Sequence, residues 1–328
     1  MERVRIGVVG VGHLGSLHAK MLSEIFTVDF VGVYDIDSRK AQKAAKEFNT
    51  TAFRTIDELV VNADALTVAT PTTTHFNVAR TALTEGKHLF IEKPITETIA
   101  EAAELIRLAC DKGLYIQVGH IERFNPAILA LEHHDIRPMF IESHRLAQFN
   151  PRGADVAVVL DLMIHDIDLI LSFVHSPVVR VDASGVAVVS DSVDIANARL
   201  QFENGCVANV TASRISQRKM RKMRLFQRNE YISIDFSEGL SEVFTLLDDN
   251  ASAEGTILLG ELGSGARKRK IVYEQPEVKE VNALKYELES FARSIRDNVP
   301  PLVTAEDGKR ALEVANIIMT KISQQKFV

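Results

Sequence analysis

IGVVGVGHLG, residues 6–15, decides the fold. An apolar, β-branched run, Arg3–Val9, ends in glycines at 10, 12 and 15, and a helix-compatible run, His13 to Ile25, starts among them. A diphosphate can approach backbone N–H groups only where no side chain intervenes, so Gly10, Gly12 and Gly15, with His13 and Leu14 opening the helix, form a candidate dinucleotide cradle. A glycine turn alone is weak, and a tight strand–helix turn that binds nothing has the same spelling. Context strengthens the reading. A second apolar run, Val28–Tyr34, ends in Asp35, 20 residues past Gly15. A carboxylate there accepts from the ribose hydroxyls and repels a 2′-phosphate, which favours NAD over NADP, although Arg39 and Lys40 follow closely.

Working outward, residues 1–119 alternate strands and helices. The strands are expected at Arg3–Val9, Val28–Tyr34, Thr51–Phe53, Ala65–Ala69, His88–Ile91 and Tyr115–Val118. Helices are expected at Ser38–Phe48, Thr73–Glu85 and Thr96–Lys112, with Ser38 and Thr96 as N-caps. This is a doubly wound α/β pattern, a Rossmann domain with a parallel sheet. Residues 120–328 read differently. A helix near Pro126–His133 precedes an extended stretch, Met139–Phe149, and a helix at Val156–Val174. Alternating segments from Val178 to about Val272, with a hairpin signal at Glu203-Asn204-Gly205, predict a large, mostly antiparallel open sheet. Gly260–Lys270 reads as a mobile loop. Two helices, Asn282–Arg296 and Thr304–Ser323, close the chain, the second started by a Thr304/Asp307 capping box and able to pack back on the first domain.

Bulk properties narrow the function. The 328 residues suit about two domains, and 46% hydrophobic with 25% charged residues is a soluble globular composition. A net charge of −6 argues against binding nucleic acid or an anionic membrane. Two cysteines, Cys110 and Cys206, make no disulfide framework. The first strand begins near residue 3, which leaves no room for a signal peptide, so a cytoplasmic protein is expected. His133-His134 has no companion at ligand spacing, so no metal is read.

Two segments carry candidate chemistry. Glu92-Lys93-Pro94 follows the fifth strand, at the sheet end where the cofactor cleft must open. Proline holds Lys93 extended, and the X-Pro bond is a candidate for cis. Lys93 there could serve cofactor and substrate together, or be an exposed lysine at a strand end. In VVLDLMIHDIDLIL, residues 158–171, Asp161, His165 and Asp168 fall within a stripe of about 60° on a helix otherwise apolar all round. Buried charge is costly, so the stripe is either a self-satisfied core network or the floor of a site. Asp166 points elsewhere, as a capping or surface group. His120, Glu122, Arg123 and Asn125 lie where the domains join, and could line a cleft or form a hinge. The basic run Arg214–Arg228 could contact a diphosphate or form the solvated face of an edge strand, and most of it is read as the latter.

Together these residues resemble a known family. GVGHLGSLHA, VATPTTTHF, IEKPI and LDLMIHDIDL follow the order and spacing of the glucose–fructose oxidoreductase, inositol dehydrogenase and rhizopine-catabolism (Gfo/Idh/MocA) family. The resemblance implies a Rossmann domain and an open-sheet domain that often mediates homodimers or homotetramers. It implies that Lys93 meets nicotinamide and substrate, and that Asp161 and His165 form the substrate-side pair, with Lys93 or His165 as acid–base group. It further implies that Glu92 meets a cofactor ribose and that Thr70, Pro71 and His75 belong to the cofactor cleft. VGHIERFNP and DVAVVLDLMIHDID are similar to the UDP-N-acetylglucosamine 3-dehydrogenases. That likeness implies NAD-dependent oxidation of a sugar-nucleotide C3 hydroxyl, coupled to an aminotransferase. His120, Glu122, Arg123, Asn125, Arg145, Arg152 and Asp168 would then recognise sugar and diphosphate. The rivals are another sugar or inositol dehydrogenase of the family and a non-catalytic NAD-binding regulator.

Overall fold

The computed structural model describes residues 3–150, 156–251, 255–263 and 268–325. They fall into two compact units, one made of Met1–Phe124 with Val281–Glu313 and the other of Asn125–Glu280 with Val314–Val328.

The first unit is wound from β1 (Val4–Val9), α1 (His13–Ser23), β2 (Val28–Tyr34), α2 (Ser38–Glu47), β3 (Thr51–Ala52), α3 (Ile56–Asn62), β4 (Ala65–Val68), α4 (Thr72–Thr84), β5 (His88–Glu92), α5 (Ile99–Lys112) and β6 (Ile116–Gly119). The strands pair in parallel in the order β3-β2-β1-β4-β5-β6. The order reverses between β1 and β4, and beyond the carboxyl ends of those strands is where such a sheet takes its ligand. β1, β4 and β5 are almost wholly buried, as strands covered on both faces must be.

Three local expectations need correction. Ser38 is the first helical residue of α2, and Asp37 is its N-cap, accepting from the Arg39 N–H. Thr98, not Thr96, caps α5, in a reciprocal capping box with Glu101, while Thr96 is buried and donates to the Thr98 carbonyl. α3 was not anticipated; it is a short helix started by Thr55, whose side chain accepts from the Glu58 N–H.

The C-terminal helices are α8 (Ala283–Asp297) and α9 (Ala305–Ser323). α8 adds Leu288, Phe291 and Ala292 to the core formed by α1, β1 and β2. Thr304 and Asp307 bond reciprocally at the start of α9, as the capping box predicts. Thr304 also bridges to Gln117 of β6, and a Cβ on Gly308 would stand 2.7 Å from Val118, so the glycine permits this close helix–strand approach.

In the second unit, α6 (Pro126–Leu129) is a single turn where a longer helix was expected. β7 (Phe140–Leu146) leads to a π-helical turn, Val159–Met163, that runs into α7 (Ile164–Val174). There follow β8 (Val178–Val186), β9 (Ile195–Phe202), β10 (Val207–Ser213), β11 (Met220–Gln227), β12 (Glu230–Asp235), β13 (Leu240–Asp248), β14 (Ile257–Leu262) and β15 (Arg269–Glu274). The sheet order is β14-β15-β13-β12-β11-β7-β10-β9-β8, antiparallel except where β10 lies beside β7. The hairpin at Glu203-Asn204-Gly205 joins β9 to β10, with Gly205 at φ 88°. β11, expected at an edge, lies inside the sheet between β7 and β12, so its basic residues project from an interior strand. The expected loop Gly260–Lys270 is also partly strand: Gly260–Leu262 end β14 and Arg269–Lys270 begin β15, with 264–267 outside the described residues.

Candidate active site

Gly10 takes φ 85°, a left-handed conformation that suits glycine, and carries the chain sharply from β1 towards α1. A Cβ on Gly15 would stand 1.7 Å from the Gly10 carbonyl oxygen, so Gly15 lets the helix close against the turn. Gly12 is different: nothing lies within 4 Å of a Cβ there. Its missing side chain leaves open space in front of α1, whose start has no side-chain cap and no acidic residue. Exposed backbone donors and a helix dipole facing open space are what a diphosphate requires.

Asp35, at the end of β2, accepts from the backbone N–H of Val11 through one carboxylate oxygen (2.8 Å) and from that of Asp37 through the other (2.9 Å). The carboxylate is thereby fixed beside the glycine turn. It lines a cavity of about 560 Å³ with Gly12, Ile36, Lys40, Thr70 and Pro71. Ile36 is 95% exposed, an apolar side chain standing free beside Asp35. Arg39 is turned to Asp37, at 3.3 Å.

Two buried histidines contact the end of β5 and the turn after it. His18 of α1 bonds Glu92 Oε1 through Nε2 at 2.8 Å and meets the Phe90 ring edge-on. Burial alone would raise the Glu92 pKa, but the His18 hydrogen bond, together with Lys93, holds it below the usual carboxylate value. Lys93 contributes its own backbone N–H to that carboxylate. The Lys93–Pro94 bond is cis, and Lys93 is half-buried. His75 of α4 contacts the Pro94 carbonyl through Nδ1 (3.0 Å) and the Thr70 carbonyl through Nε2 (2.9 Å). Burial pushes its pKa down against the pull of these carbonyls, and a neutral ring bonds only one of them with its single N–H. Glu92 and His75, both expected at the cofactor, lie against the turns that carry Lys93 and Thr70.

In the second unit, Asp161 sits in the π-helical turn and His165 in the first turn of α7, both half-buried, while Asp168 is buried. π-turns recur where a helix must aim particular side chains at a site. Asp166 is corrected: it is buried and paired with the equally buried Arg145 of β7, in a bidentate contact at 2.7 and 3.0 Å. In a helix buried nearly all round, leaving the polar stripe does not mean reaching solvent. Arg123 faces Asp307 at 3.7 Å, Asn125 caps α6, and His120 and Glu122 are buried. Arg152 lies outside the described residues. Among the described residues no group of three His, Cys, Asp or Glu is placed to hold a metal.

Residues 4–120 match the profile of the Gfo/Idh/MocA oxidoreductase family with an NAD-binding Rossmann fold, and residues 135–239 match the Gfo/Idh/MocA C-terminal domain. The UDP-N-acetylglucosamine 3-dehydrogenase of Acidithiobacillus ferrooxidans is 36% identical, over 100% of this chain and 99% of its own. The chain belongs to the Gfo/Idh/MocA family. A solved structure of that Acidithiobacillus enzyme superposes with a TM-score of 0.87, covering 98% of each chain. The scyllo-inositol 2-dehydrogenase (NAD(+)) of Bacillus subtilis is 26% identical over 95% of this chain and 92% of its own.

As a Gfo/Idh/MocA member the chain is a nicotinamide-dependent oxidoreductase. His18 is the site residue that the sequence reading missed. Its signal was there: with Gly15, Ala19 and Leu22 it completes the buried face of α1 at i, i+3, i+4 and i+7.

Proposed function

We propose that this protein oxidises the C3 hydroxyl of UDP-N-acetylglucosamine with NAD. The observation that carries the reading is 36% identity, running end to end, to an enzyme of that name. The glycine turn fits the cofactor: the open space at Gly12 and the uncapped start of α1 suit its diphosphate. Asp35 suits the adenosine ribose, and its fixed negative charge disfavours the 2′-phosphate of NADP. Thr70 and Pro71 line the same cavity.

When bound, NAD supplies the hydride acceptor. The chain's own residues supply the rest. Loss of hydride from a neutral alcohol would leave a strongly acidic oxocarbenium, so the hydroxyl proton must leave with it. Neutral His165 accepts that proton on an imidazole nitrogen, and Asp161 stabilises the imidazolium that results. The Lys93 ammonium donates to the same oxygen and holds its developing negative charge. The reverse assignment, with Lys93 as base, is separated by the pH–rate profiles of the two alanine variants. Arg145, Arg123 and Asp168 act in this reading by shaping the substrate region rather than by touching sugar, since the first two are ion-paired and Asp168 is buried.

Alcohol oxidation by NAD is uphill at neutral pH, so the reading includes a following transamination that consumes the ketone. It also includes cytoplasmic work as a homodimer or homotetramer. The test is reduced-nicotinamide absorbance with UDP-N-acetylglucosamine, free N-acetylglucosamine and inositols, with glutamate and a sugar aminotransferase present. Signal with the sugar nucleotide alone supports the reading. Signal with inositols alone overturns the substrate assignment.

A further inference from the structure

We propose that His18 is a positioning residue for Lys93, acting through the Glu92 carboxylate. The inference rests on the reading above, in which Lys93 meets the reacting hydroxyl. The connection is short and lies wholly within the first unit. His18 is fully buried on α1, its Nε2 2.8 Å from Glu92 Oε1, and the same carboxylate accepts the backbone N–H of Lys93. Since Glu92 is held as a carboxylate, Nε2 carries the ring proton and donates it. His18 Nδ1 is buried with no hydrogen-bond partner among the described residues, so the ring makes one directed bond and that bond is to Glu92. A residue kept for packing alone would be apolar, because a buried nitrogen without a partner is costly.

The neighbours make Glu92 depend on this bond. Gly119 of β6 backs the carboxylate so closely that a Cβ there would lie 3.0 Å from Oε2. Among the described residues, titratable groups acting with it are His18 from α1, Lys93 on its own turn and His75 from α4. His75 lies against the other side of that turn, its Nδ1 3.0 Å from the Pro94 carbonyl oxygen. Without the His18 donor, burial becomes the dominant influence on Glu92 and drives it towards its neutral form. A protonated Glu92 accepts more weakly from the Lys93 N–H, and the backbone that aims the Lys93 side chain loses its fixed point.

The experiment compares His18→Leu with His18→Gln, whose amide can still donate to Glu92. In the protein without cofactor, carboxyl carbon NMR follows Glu92, assigned by its loss in Glu92→Gln. The midpoint should lie below the usual carboxylate value in wild type and His18→Gln, and above it in His18→Leu. In turnover, His18→Leu should lose about 10–100-fold in kcat, as a displaced catalytic group does, with sugar-nucleotide KM changed by less than about threefold. His18→Gln should restore most of that loss. An unmoved Glu92 midpoint in His18→Leu, or kcat lost equally in both variants, overturns the proposal. The NMR arm needs no substrate, so a wrong substrate assignment leaves it standing and shows separately in the substrate panel.

Discussion

Lys93 and His165 are the residues whose removal should separate chemistry from fold. Each is half-buried, so alanine at either leaves the core intact while removing a proton donor or acceptor. Each substitution should lower kcat by about 10²–10⁴-fold, with the melting temperature and NADH affinity close to wild type. Near-normal turnover in either variant would remove that residue from the chemistry. The setting of each was legible because it is local: a lysine between a strand and a proline, and a histidine four residues from an aspartate on an apolar helix. The buried polar pairs were not. His18 and Glu92 are 74 residues apart in sequence, and Arg145 and Asp166 are 21 apart. No spacing rule connects such partners, since the fold alone brings them together.

At the scale of elements, the turn from β1 to α1 contains two glycines with different duties. Gly15→Ala would drive a methyl group into the Gly10 carbonyl, so melting temperature and NADH binding should both fall. Gly12→Ala meets nothing within 4 Å and should melt like wild type, yet bind NADH more weakly if its methyl enters the proposed diphosphate site. Thermal melting and a fluorescence titration on the two variants check this; equal NADH affinity in wild type and Gly12→Ala would contradict the diphosphate placement. The buried parallel strands and the hairpin at Gly205 were legible from composition and turn chemistry. The π-helical turn at Val159–Met163 was not, because apolar periodicity looks alike for an α-turn and one widened turn. β11 was misplaced at an edge because charge on one face is shared by edge strands and by interior strands of a sheet with an open face.

At the scale of the whole chain, the bonding of Asp194 predicts an acid dependence of stability. Asp194, the residue before β9, accepts from the N–H groups of Val188, Val189 and Ser190 and from the Ser190 hydroxyl. Burial opposes its charge, but these bonds prevail and bring its pKa from 3.8 to about 2. A depressed carboxylate stabilises the fold above its unfolded value. That contribution, about 2 kcal/mol, should fade as pH falls from roughly 4 to 2. Urea unfolding against pH should show the loss in wild type and a flatter curve in Asp194→Asn; identical slopes would contradict it. The division into a Rossmann unit and an open-sheet unit was legible from the change of rhythm after residue 119. The return of α8 and the first part of α9 to the first unit depends on tertiary packing, Leu288 and Phe291 on the α1 core and Gly308 against Val118. The measurement that tests the central claim most directly uses UDP-N-acetylglucosamine carrying deuterium at C3, with the aminotransferase present to draw off the ketone. Deuterium recovered in the reduced nicotinamide is the predicted result. Reduced nicotinamide that forms without deuterium would contradict oxidation at C3.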